Sequence, residues 1–102
     1  MYRVSLLPMA REDLRGIVTY ISKNLGAPVA AASFSAAFQA SASRLSDFPY
    51  MYPVYIPVRK LDTEYRKMGV KNDSVFYTVL ESEKQVEIHR VLYSRRDFDR
   101  FL

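Results

Sequence analysis

The sequence has no cysteine and a single histidine, His89. Disulfides and thiolate chemistry are therefore excluded, and too few donors remain for a zinc site built from protein ligands. No apolar run approaches the roughly 18 residues of a membrane span, which excludes a transmembrane helix. The N-terminus lacks the basic-then-apolar pattern of a secretory leader, which points to the cytoplasm. Nothing in the residue pattern implies a cofactor.

What is present fits one folded domain over residues 1–102. Apolar residues make up 49% and charged residues 25%, too apolar for a disordered chain. The net charge is +4. That balance admits an anionic partner, nucleic acid or an acidic protein, without requiring either. The basic residues of the second half form two clusters. One is Arg59, Lys60, Arg66, Lys67 and Lys71; the other is Arg90, Arg95, Arg96 and Arg100. The intervening turn, with Glu81, Glu83 and Glu87, is acidic.

Tyr2 to Leu7 alternates as a short strand does, and Pro8 ends it. From Met9 the period becomes helical: Leu14, Ile17, Val18, Ile21 and Leu25 form one stripe. Glu12 and Asp13 are read as first-turn acids, favoured by the helix dipole. Gly26 suits the C-cap. Pro28 suits the first turn of a second helix, in which Phe34, Phe38 and Leu45 share a face. The Ala- and Ser-rich run Ala30 to Ala42 lets helices approach closely, so 9–46 reads as a helical hairpin turning at 25–28. Pro49, Pro53 and Pro57 mark an extended connector, with Tyr52 to Val58 as a candidate edge strand.

Residues 65–71 form a candidate strand, Asn72-Asp73 a turn, Ser74 to Leu80 a strand and Gln85 to Tyr93 its partner. Strict alternation sets Arg90 beside Ile88 and Leu92. Either a bulge turns it outward, or its stem lies along the core with the guanidinium at the rim. Ser94-x-x-Asp97 spells an acidic capping box, so a short helix is predicted over 95–102. Arg95 and Arg96 would then oppose the dipole of its first turn. The fold class is α+β: an N-terminal strand, a two-helix hairpin, antiparallel strands and a short C-terminal helix. The sheet face away from the helices needs a cover, and Tyr77, His89 and Tyr93 are candidates to line it.

Three segments resemble the RelE/ParE superfamily of type II toxins. Pro8-Met9-Ala10-Arg11-Glu12-Asp13-Leu14 through Ile17 and Tyr20-Ile21 is similar to the P-x-A-x-x-D-L-x-x-I-x-x-Y-I opening of the first helix. Leu45-Ser46-Asp47-Phe48-Pro49 is similar to the L-x-x-F-P after the second. Val75-Phe76-Tyr77-Thr78-Val79 with Val86 to Asp97 resembles the V-F-Y-x-V … V-x-I-x-R-V-L-H-x-R-R-D ending. The resemblance spans about residues 2–100. It implies a cytoplasmic toxin that inhibits growth and serves plasmid stabilisation. It also implies neutralisation by a cognate antitoxin with an extended acidic segment, which the basic clusters suit in charge.

The superfamily has two chemistries. ParE-like members bind and poison DNA gyrase, whereas RelE-like members cut mRNA on the ribosome. RNA cleavage needs a group to activate the 2′-OH, cations for the phosphate and an acid for the leaving oxygen. Arg95 matches the arginine at the strand-to-helix junction of the nuclease branch, and Lys67 roughly matches one of its lysines. Ser74 stands where that branch has an arginine, and Phe101 lies near its terminal tyrosine. The reading is therefore ParE-like, with the ribosome-dependent nuclease as the alternative.

The catalytic candidates for that alternative are Arg95, Tyr93, His89 and Lys67. Target- or antitoxin-binding candidates are Arg66, Lys67, Lys71, Arg90, Arg95 and Arg96, since guanidinium and ammonium groups bind phosphate and carboxylate. The plain reading of His89 is a strand residue facing solvent or stacked on Tyr77. The lysines read equally well as solvated surface. A nucleic-acid-binding module without toxicity, or an inert relative, is the reading from a different class; no helix-turn-helix or RRM signature supports it.

Overall fold

The computed structural model describes residues 1–102. Strand β1 spans Arg3–Leu6, helix α1 Pro8–Thr19 and helix α2 Pro28–Arg44, followed by strands β2 (Arg66–Val70), β3 (Asp73–Leu80) and β4 (Gln85–Tyr93). The sheet order is β1-β4-β3-β2. β1 runs parallel to β4 and the other pairs are antiparallel, so the sheet is mixed at one edge. No helix is long and apolar enough to cross a membrane.

Pro8 and Pro28 each occupy the first turn of a helix, where a missing N–H costs nothing. Because α1 starts at Pro8, Glu12 and Asp13 both lie beyond its first turn, and the expected dipole contribution does not arise. The hairpin forms, but residues Tyr20–Asn24 make a wide π-helical turn with the Leu25 N–H bonded to the Tyr20 carbonyl. A π turn inserts extra residues into the helical count and rotates the side chains beyond it. Leu25 accordingly leaves the core stripe and is 59% exposed. Gly26, at φ +60°, ends the segment.

The helices cover one face of the sheet. Ala10, Phe34, Phe38 and Leu45 pack there on Met68, Val70, Val75, Tyr77, Val86, Ile88 and Val91, all buried. Removing each large apolar side chain from water contributes about 2 kcal/mol. Tyr77 therefore belongs to the helix side, not to the outer face, and its hydroxyl donates to the Pro49 carbonyl at 2.8 Å.

β4 changes phase in its middle. Phe76 pairs with Arg90 and Tyr77 with Ile88, leaving His89 as a bulge. Val86, Ile88 and Val91 thereby share the helix side, and Leu92 turns to the other. The bulge is one of the two arrangements anticipated for Arg90.

The outer face has its own small core. Tyr65, Phe76 and Leu92 are buried under Tyr55, Leu61, Phe98 and Leu102. Phe76 meets Tyr55 and Phe98 edge-on, at centroid distances of 5.2 and 4.8 Å. The cover is thus the connector and the C-terminal tail. It is fastened by Asp99, only 5% exposed. The Asp99 carboxylate accepts from the Tyr55 hydroxyl at 2.7 Å and from the backbone N–H groups of Val58 and Arg59 at 2.8 and 2.9 Å. The Arg59 guanidinium donates to the Asp99 carbonyl at 2.6 Å.

Two expected elements take other forms. The connector makes a single bridge, Val54 to Arg66, instead of an edge strand. The predicted helix over 95–102 is only a 3₁₀ turn at Phe98–Arg100. The hydroxyl of Ser94 hydrogen-bonds that of Ser74 at 2.9 Å instead of capping a helix. Arg95 and Arg96 precede the turn and face no helix dipole.

Candidate functional site

β2 and β3 are joined by a tight turn at Lys71 and Asn72, with Lys71 at φ +55°. Asp73, expected in that turn, instead opens β3 and pairs with Tyr93. The Ser94 N–H donates to the Asn72 carbonyl at 3.0 Å. These bonds hold Lys71, Asp73, Tyr93, Arg95 and Arg96 at one end of the sheet. Opposite stand the second half of α1 and the π turn. Between them lies a groove of about 760 Å³. Ile17, Tyr20, Ile21 and Leu25 line it from the helix side and Val91 and Tyr93 from β4, with Asp73 and Arg96 between them. Tyr20 is 54% exposed and Tyr93 46%, so the rim is aromatic and open.

Asp73 is 7% exposed and its carboxylate makes no hydrogen bond or ion pair. Burial pushes its pKa up, and the charge of Arg96 opposes that only in part. Arg96 itself lies over the Phe101 ring, 5.0 Å from the centroid. Arg95 and Lys71 are exposed.

The other candidate residues are scattered and engaged. The Arg90 guanidinium holds the Asp13 carboxylate through Nε and Nη2 at 2.8 and 2.9 Å and reaches the Phe101 carbonyl at 3.1 Å. Its pKa is raised, chiefly by the hydrogen bonds to Asp13. Arg66 donates to the Tyr52 carbonyl at 2.6 Å and lies over the Tyr50 ring. The Lys67 ammonium is 5.2 Å from the Phe98 centroid. His89 Nε2 shares a hydrogen bond with the Thr78 hydroxyl at 3.0 Å, and the ring meets Tyr65, not Tyr77, edge-on at 5.2 Å. Burial lowers its pKa, against the pull of Glu87. Four residues of strand, roughly 13 Å, separate His89 from Tyr93. His89 and Tyr93 are therefore set well apart along β4. No group of three or more His, Asp or Glu side chains stands close enough to hold a metal ion.

The family model described as ParE toxin of type II toxin-antitoxin system, parDE, matches residues 4–98. The chain belongs to the ParE toxin family. A comparison with curated proteins gave no match. Membership makes this a toxin of the type II toxin–antitoxin class and implies a cognate antitoxin partner. For a ParE-family toxin, the basic, aromatic end of the sheet and its groove are the candidate contact surface. Sequence reasoning found Tyr93, Arg95, Arg96 and Lys71 there. It missed Asp73, read as a turn residue, Tyr20, and Leu25, which the π turn brings to the rim. A tyrosine at a helix surface carries no local signal of that kind.

Proposed function

We propose that this toxin arrests growth by binding DNA gyrase rather than by cutting RNA, and that its antitoxin neutralises it by covering the contact surface. The observation that carries the reading is Ser74. It is 2% exposed, and its hydroxyl is engaged by Ser94. The nuclease branch that the sequence resembles has an arginine at this position. A buried serine supplies no cation to a phosphate in the transition state. Phe101, near that branch's tyrosine, has no proton to donate. The exposed Arg95, Arg96 and Lys71 beside the Tyr93 ring suit a protein surface rich in carboxylates.

The test is pulse-labelling of cells after induced expression without antitoxin, with DNA and protein synthesis measured separately. An early fall in DNA synthesis with filamentation is the expected result. An early fall in protein synthesis would overturn the gyrase reading in favour of ribosome-dependent cleavage.

A further inference from the structure

We propose that Asp73, in the groove between α1 and the end of β4, anchors one basic side chain of the antitoxin, carried within an apolar segment that fills the groove. The inference rests on the antitoxin partnership above and adds where the segment enters and which side chain it must bring.

A carboxylate on a largely buried residue is ordinarily paired or hydrogen-bonded, or else open to water. Asp73 keeps only 7% of its surface exposed and no donor within the chain reaches its side chain, yet no buried side-chain oxygen is left without a partner, so its carboxylate oxygens open to solvent at the groove. The fold does not require a carboxylate there: the Asp73 backbone makes the structural contacts, pairing with Val70 and Tyr93. The neighbouring charges are already engaged. Asp13 is bound by Arg90. Glu12 pairs with Arg15 at 2.5 Å. Arg96 lines the groove but lies on the Phe101 ring and forms no ion pair with Asp73. One carboxylate without a hydrogen-bonded or ion-paired partner thus opens into a cleft with apolar walls.

The walls specify what surrounds the cation. Tyr20, Leu25 and Tyr93 expose about half or more of their surface, the kind of clustered apolar area that marks a partner site. The π turn that turns Leu25 outward is a device common at functional sites. An occupant therefore needs apolar side chains flanking a single Arg or Lys. Arg fits better, since its planar fork can meet the carboxylate through two bonds. Outside the groove the sign reverses: Lys71 and Arg95 lie exposed at the same end of the sheet. An antitoxin segment of acidic, then apolar-basic-apolar character would be held in one register by this pattern, because a slip sets like charges together.

The experiment is calorimetric titration of the toxin with its full-length cognate antitoxin. Growth arrest by the wild-type toxin, relieved by co-expressed antitoxin, is measured first; failure there refutes the partnership itself and leaves the anchor without its basis. With that in hand, Asp73→Asn is expected to weaken binding at least tenfold, and Leu25→Asp, on the exposed rim, by a similar factor. Substituting the antitoxin's groove-facing Arg or Lys should weaken binding to wild-type toxin but hardly affect binding to Asp73→Asn, as a double-mutant cycle reads. Affinity within twofold of wild type for both folded toxin variants would overturn the proposal. So would an antitoxin with no basic residue inside an apolar stretch.

Discussion

Arg90 and Asp13 join β4 to α1 across 77 residues of sequence. Their side chains are only 13% and 15% exposed. The same Asp13 oxygen that meets Arg90 Nε also accepts the Val91 N–H at 2.9 Å. β1 stops pairing at Ile88, so that N–H lies beyond the neighbouring strand and needs another acceptor. One carboxylate thus closes the sheet edge and balances the arginine that the bulge releases.

Asp13→Ala should therefore lower the unfolding free energy by about 3 kcal/mol, the cost of leaving a nearly buried charge and an amide unpaired. Asp13→Asn should cost less, because its amide oxygen still accepts from Val91. Urea denaturation of the two variants checks the order. A loss of that size is large against the roughly 5–15 kcal/mol of a small domain.

Asp99→Asn should loosen the connector while sparing the main core. Amide exchange of residues 55–60 should accelerate and the helices should stay protected. The Tyr55 hydroxyl, with the N–H groups of Arg59 and Val58, holds the Asp99 carboxyl below the ordinary range. Its folded pKa is thus lower than its unfolded one. The stability it supplies is complete above about pH 4, the unfolded value, and is lost as pH falls through the folded value. Acidified wild-type protein should show the same fast exchange that the variant shows at neutral pH.

Asp73 has the opposite sign. Burial raises its pKa in the folded state, so the folded protein holds the proton more tightly than the unfolded chain. Ionisation then costs stability, and the cost is complete above the folded value. Asp73→Asn should melt higher than wild type at pH 7 when antitoxin is absent. The gain should vanish below about pH 4, where the wild-type carboxyl is protonated in both states. Thermal melts at the two pH values check this.

Arg95→Ala combined with Arg96→Ala should abolish growth arrest and leave the fold intact, since both side chains are exposed. Circular dichroism and induced expression without antitoxin read the two properties. Full toxicity of the folded double variant would remove this junction from the mechanism. Phe101→Tyr, by contrast, should create no RNA cleavage in a ribosome-programmed assay.

Much of the fold was legible because it obeys local rules. Pro8, Gly26 and Pro28 punctuate the hairpin through backbone geometry alone. The unbroken run of strand formers Val75 to Val79 marks β3 before any partner is known, although it does not say which face Tyr77 takes. The terminal helix over 95–102 failed for a non-local reason. Ser94 found Ser74 across the hairpin, and Phe98 and Leu102 were drawn onto the outer sheet face. Burial of those two apolar side chains outweighed a weak capping signal.

The candidate site divides in the same way. Lys71, Arg95 and Arg96 were visible as charges on exposed segments, and charge is a property of single residues. Arg66, Lys67 and Arg90 looked alike in sequence but are engaged by Tyr52, Phe98 and Asp13, each far along the chain.

By itself the sequence determined the main strands and helices and their order, the core stripe of the first helix, the basic character of the sheet's end and the family. Only the tertiary structure decided that His89 bulges, that Asp99 fastens the outer cover and that Asp73 lies unpaired in a groove. The reason is physical. Periodicity, capping and charge act within a few residues, whereas pairing and burial depend on groups that meet only once the chain has folded.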